Sequence, residues 1–142
     1  MTLESLVNNK KASVIYIDKS ATVLDAIQRM CDAKVGSLLI QSDDGQLTGI
    51  VTERDILRFC ATRSGELEST EVGEIMTRNP VTAPPGCSNE EAMTLMTERR
   101  FRHLPIVEDN RTIGMVSIGD LVKSRLQDYT VEIKYLREFI SA

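Results

Sequence analysis

The sequence predicts an α+β fold made of two copies of one β-α-β-β-α unit, followed by an added C-terminal helix. Three observations carry this. First, Gly49-Ile50-Val51-Thr52-Glu53-Arg54-Asp55-Ile56 returns 65 positions later as Gly114-Met115-Val116-Ser117-Ile118-Gly119-Asp120-Leu121. Second, Val35-Gly36-Ser37-Leu38-Leu39-Ile40 aligns with Phe101-Arg102-His103-Leu104-Pro105-Ile106 at an offset of 66, as do Ala26 and Met30 with Ala92 and Met96. One residue lost from the hairpin loop explains the change of offset, and a copy this long implies two structural copies. Third, both copies run through the same order of strand-like and helix-like hydrophobic patterns.

Each copy opens on a short apolar run that suits a strand, Val14-Ile15-Tyr16-Ile17 in the first and Pro80-Val81-Thr82-Ala83 in the second. A helix follows. Thr22 can cap Val23 to Met30, whose apolar residues at 23, 26, 27 and 30 share one face. Ser88 plays that part in the second copy, with Glu91 three residues on predicting a capping box. A hairpin then joins Ser37–Gln41 to Leu47–Thr52 through an Asp44-Gly45 turn. A second helix begins near Asp55 and near Asp120. Residues 8–70 form the first unit, 71–129 the second, and 130–142 an amphipathic tail helix carrying Val131, Tyr135 and Phe139 at intervals of four. About 65 residues leave a marginal core, so the two copies are expected to pack on each other.

The chain has 142 residues, 42% hydrophobic and 27% charged, with a net charge of −4. That is an ordinary balance for a globular protein, and no long basic stripe supports nucleic-acid binding. No apolar run approaches the roughly 20 residues of a membrane span. Met1-Thr2-Leu3-Glu4-Ser5-Leu6 lacks the basic start and apolar centre of a signal peptide, so a cytoplasmic location without a membrane partner is expected. Cys31, Cys60 and Cys87 form no CxxC pair and stand apart in sequence from the single histidine, His103. They read as buried or half-buried thiols, and no metal site is expected.

The order of elements, with the ending Gly, two apolar residues, Thr or Ser, and Asp three further on, resembles the cystathionine-β-synthase-type (CBS) motif. Arg102-His103-Leu104-Pro105-Ile106-Val107 is similar to the second motif of a pair, and Val72-Gly73-Glu74-Ile75-Met76-Thr77 to its lead-in. The resemblance runs from about Ser13 to Asp128 and is strongest to short, stand-alone pairs. It implies two sheets about a pseudo-twofold axis, two related clefts, and a ligand such as AMP, ATP, S-adenosylmethionine or NAD(H). It also implies dimerisation.

The chemistry of the repeated ending fits an adenosine nucleotide. Gly49 and Gly114 allow close approach of backbone or ligand. Thr52 and Ser117 place a hydroxyl at a strand end, where it can donate to phosphate. Asp55 and Asp120 offer carboxylates to the vicinal hydroxyls of ribose. Plain helix capping explains the same residues in any one copy. Arg54, Arg102 and His103 are further phosphate candidates, with Arg99 and Arg100 ranked lower as cover for a solvated helix end. The resemblance assigns the adenine slots to Ile15 and Tyr16 in one cleft and Val81 and Thr82 in the other, with Pro105 and Ile106 closing one of them. Gly36-Ser37 replaces Arg102-His103 in the first copy, so the clefts are chemically unequal.

These residues predict a sensor or regulatory module that acts on an unidentified protein and does not catalyse a reaction. AMP or NAD(H) is favoured over ATP, because no acidic cluster for Mg²⁺ accompanies the phosphate candidates. Two alternatives stand beside it: a structural dimer with vestigial clefts, and a nucleotide-processing enzyme. A homodimer is expected from apolar residues on the repeat helices, Ile56, Leu57, Phe59, Leu121 and Val122, with the tail helix adding to the contact or capping its own module.

Overall fold

The structure, a computed structural model, describes residues 1–10 and 14–141. Ser13, where the resemblance begins, and Ala142 lie outside the described residues. The chain is a mixed helix and strand fold with two small sheets and a long C-terminal helix. Helix α1 spans Leu3–Asn9, α2 Val23–Ala33, β1 Ser37–Gln41, β2 Leu47–Thr52 and α3 Glu53–Arg63. Then come α4 Val72–Ile75, β3 Thr77–Arg78, α5 Asn89–Arg99, β4 His103–Glu108, β5 Arg111–Ser117 and α6 Ile118–Ser141.

The internal repeat is a repeat of geometry as well as of letters. Ser37 pairs with Thr52 and His103 with Ser117, and each hairpin is interrupted at the equivalent place, after Ile40 and after Ile106. Glu53 N–H donates to Gly36 O as Ile118 N–H donates to Arg102 O. Lys34 and Arg100, 66 apart, both end their helices in the left-handed conformation. Ala26 and Met30 are buried in one core, Ala92 and Met96 in the other.

The opening runs are shorter strands than the sequence suggests. Tyr16 makes one parallel bridge to Leu39, and Ala83 one to Ile106. Pro84 and Pro85 end the second run, because a proline has no N–H to continue the ladder. In the first run the Asp18 carboxylate accepts from the backbone N–H and the hydroxyl of Ser20, turning the chain away.

Capped helix starts include those of α2, α3 and α5. Thr22 with Asp25 and Thr52 with Asp55 form complete capping boxes. Ser88 accepts from Glu91 N–H, but the Glu91 carboxylate takes the Cys87 thiol at 3.8 Å instead of returning to the backbone. Half of the predicted box is therefore present.

Segments outside the repeat finish the cores by crossing between units. α1, on which the sequence reading placed no element, buries Leu3 in the second core beside Leu6 and Val7. Its first N–H groups donate to Cys87 O and Pro85 O. α4 brings Val72, Ile75 and Met76 into the first core, and β3 extends β1–β2 to a three-stranded sheet. Each lead-in thus covers the motif that it does not precede in sequence. The tail is not a separate element. It continues α6 without a break, since no proline or glycine lies between Asp120 and Ser141. Cys31 is exposed, whereas Cys60 and Cys87 are half-buried.

Candidate nucleotide cleft

Strand β2 ends at Thr52 and the chain turns directly into α3, so the last hydroxyl of the strand is also the helix cap. Asp55 Oδ2 accepts from Thr52 N–H at 2.9 Å and from its hydroxyl at 3.1 Å. The second copy repeats this, with Ser117 N–H donating to Asp120 Oδ2 at 2.8 Å and Asp120 N–H to Ser117 Oγ at 3.1 Å. Capping is thus formed in both copies. It occupies one carboxylate oxygen and leaves Oδ1 of each aspartate without a hydrogen bond among the described residues. Capping fixes where that oxygen points.

Asp55 lines a cleft of about 850 Å³ between the two motifs. The first motif contributes Thr52, Glu53, Arg54, Asp55 and Arg58, and the second contributes Pro80, Val81, Arg99, Arg100, Arg102 and His103. Apolar walls come from Ile50, Ile56 and Phe101. Five arginines face two carboxylates here, so the local field is positive although the chain is acidic overall. Arg54 and Arg58 reach it together because they stand one turn apart on α3. Of the sequence candidates, the structure brings Thr52, Arg54, Asp55, Val81, Arg102 and His103 into this one cleft, with Arg99 and Arg100.

Other candidates stand elsewhere. Thr82 is exposed beside the cleft wall and is not part of its lining. Pro105 and Ile106 are buried in β4, where Ile106 belongs to the second core. Ile15 packs against the first core, and Tyr16 gives its carbonyl to Arg29 at 2.7 Å. Ser117 and Asp120 lie around the second copy's helix start. The two glycines of the repeat are filled by protein: a Cβ on Gly49 would stand 2.5 Å from Met76 Sδ, and one on Gly114 2.7 Å from Val7 Cγ1.

Sequence reasoning missed Lys10. Its ammonium bonds Asp120 Oδ2 at 2.8 Å and Met115 O at 3.0 Å. Burial alone would raise the Asp120 carboxyl, but Lys10 and the Ser117 N–H hold it below the ordinary carboxylate range. The second aspartate therefore has a cation from the chain itself where the first faces an open cleft. His103 sits at the junction of the two halves, close to Glu53 and Gly36. Burial pushes its imidazole below the usual value, opposed by Glu53 and assisted by Lys10 and Arg102. The charge at Lys10 was visible in the sequence, but nothing there placed α1 on the second motif.

Among the described residues no group of three or more His, Cys, Asp or Glu side chains is gathered for a metal ion, and no helix is long and apolar enough to cross a membrane.

Comparison with known proteins places this geometry. The family model described as the CBS domain matches twice, over residues 9–62 and 72–126. The "CBS domain-containing protein CBSX3, mitochondrial" of Arabidopsis thaliana is 38% identical over 132 residues, which is 90% of this chain and 64% of that protein. The chain thus spans just under two thirds of that relative, and about a fifth of longer Arabidopsis relatives such as CBSCBSPB5. The crystal structure of the CBS-domain containing protein ATU1752 from Agrobacterium tumefaciens matches with a TM-score of 0.84 and 30% identity, covering 88% of this chain and 99% of that one. CBSX2, crystallised in complex with AMP, matches with a TM-score of 0.76 and 28% identity, over 90% of this chain and 98% of that one. Two matched domains, the repeated hairpin and cap geometry, and these neighbours agree: the chain belongs to the CBS-domain family, as a tandem pair.

Proposed function

We propose that this CBS pair is a regulatory module that binds an adenosine nucleotide in the Asp55 cleft and passes its ligand state to a partner protein. AMP or NAD(H) is the first choice of ligand and ATP the next, with no metal required. The observation that carries the reading is the composition of that one cleft. A carboxylate oriented by its cap, a strand-end hydroxyl, five arginines and an apolar wall meet there from both motifs. Asp55 holds the ribose. Arg54, Arg102 and His103 hold phosphate, Thr52 joins them when its hydroxyl proton turns from Asp55 Oδ2 to the ligand, and Val81 bears on adenine. The AMP bound in CBSX2 supports this choice of ligand class.

In the pseudo-symmetric position, Asp120 and Ser117 are the counterparts, with Ile15 and Tyr16 toward adenine and Lys10 added to the cation set. Thr82, Pro105 and Ile106 then act as neighbours of the slots. The Lys10–Asp120 pair favours a weaker second site, because ribose has to compete with a bonded ammonium. The role is binding and not catalysis: Asp55 and Asp120, the two repeated carboxylates, stand at separate helix starts, one in each motif, and not as a pair. The module works as a homodimer in the cytoplasm. Leu57 and Val122 are exposed to serve the contact, while Phe59 and Leu121 are buried within the chain itself.

A thermal-shift panel tests the reading. At 100 times its dissociation constant a ligand stabilises the fold by about 2.7 kcal/mol, a shift of roughly 5–10 °C for a chain of this size. AMP and NADH give such shifts without Mg²⁺, and GMP gives less. Equal shifts for GMP and AMP contradict an adenine slot.

A further inference from the structure

From Arg125 to Ile140 every residue of α6 is exposed. Its tertiary anchor is the exposed Arg125–Glu90 ion pair at the first of these residues. Beyond that anchor a helix of this length is marginal in water by itself, so its stability calls for a partner. The exposed apolar residues say which kind. Val122, Leu126, Tyr129, Ile133, Leu136 and Ile140 follow one another at steps of four, three, four, three and four. That alternation averages 3.5 residues and keeps all six on one seam of a left-handed supercoil. Leu126, Ile133 and Ile140 take one set of core positions and Val122, Tyr129 and Leu136 the other. The one polar tip among the six is the Tyr129 hydroxyl, which accepts from Arg125 Nε at 3.2 Å. The row Val131, Tyr135 and Phe139 differs, because a spacing of four drifts around the helix and does not remain in a seam.

The geometry points to α6 as a parallel two-stranded coiled coil with α6 of a second copy of this chain. A seam of this period is self-complementary only to another helix of the same period, and the chain itself supplies one. Charge complementarity selects the direction. Glu132 and Arg137 flank the seam five residues apart. In a parallel, in-register pair, Glu132 of one copy lies beside Arg137 of the second copy, and the pairing occurs twice by symmetry. The seam falls just short of three heptads, so it works together with the contact between the modules. This deepens the dimer reading and rests on it, but it does not rest on the nucleotide reading.

Sedimentation equilibrium of the full chain tests it. Wild type is a dimer at micromolar concentration. Ile133→Asp raises the dimer dissociation constant at least about tenfold, because it puts two facing carboxylates in an apolar layer. Val131→Asp, one row outside the seam, leaves the constant unchanged. Glu132→Arg weakens the dimer, and Glu132→Arg combined with Arg137→Glu restores it, as the parallel register predicts. A monomeric wild type overturns both this inference and the dimer reading. A dimer indifferent to Ile133→Asp, equal losses for Val131→Asp and Ile133→Asp, or no rescue in the double variant overturns this inference alone. AMP binding by the Ile133→Asp variant reports separately on the cleft and shows that the variant is folded.

Discussion

At the scale of single residues, one aspartate per motif caps a helix and, in the proposed function, also holds a ribose. Asp55 and Asp120 cap their helices with one oxygen, and the other has no hydrogen bond among the described residues. The sequence motif made both aspartates legible, because Thr or Ser followed three residues on by Asp is at once a cap and a ligand pattern. Lys10 was not legible, since its partner lies 110 residues away. The Lys10–Asp120 pair has a pH signature. The folded carboxyl is held below its ordinary value, so the pair stabilises the fold above about pH 4 and the contribution is lost as pH falls through the lowered value. Urea unfolding at pH 6 and pH 3 is expected to show a larger loss for wild type than for Asp120→Asn, which keeps a cap acceptor but carries no charge. Equal losses for the two proteins contradict the pairing.

At the scale of elements, the lead-in segments are what the sequence reading understated. α1 has seven residues and only Leu3, Leu6 and Val7 to mark its face, too short a pattern for periodicity to declare. The opening runs read as strands because they are apolar, yet a proline in one copy and a side-chain turn in the other stop them at one bridge. α2, α5 and the two hairpins were legible because caps, turn residues and periodicity all agreed there. The glycines of the repeat report on the lead-ins. Gly114→Ala drives a Cβ against the stiff, branched Val7 and is expected to cost about 1–3 kcal/mol in urea unfolding. Gly49→Ala meets the flexible end of Met76 and costs less. Val7→Ala added to Gly114→Ala recovers part of the loss. A greater cost at Gly49, or no recovery in the double variant, contradicts this packing.

At the scale of the whole molecule, two equivalent motifs give their aspartates unequal surroundings. One aspartate opens onto a cleft with five arginines, and the other is paired with the chain's own lysine. The inequality was visible in Gly36-Ser37 against Arg102-His103, but which side is open depends on where the N-terminus docks. Calorimetric titration with AMP of wild type, Asp55→Ala and Asp120→Ala tests the central claim most directly. Each charge-assisted bond to ribose contributes roughly 1.5–3 kcal/mol, part of which water recovers, so Asp55→Ala is expected to lose about 2–3 kcal/mol, or roughly 30- to 150-fold in affinity. Its fold survives, because a lost cap costs about 1 kcal/mol. Asp120→Ala leaves the tighter binding event in place. A folded Asp55→Ala protein that binds AMP as wild type does, or a wild type that binds no AMP, contradicts the account.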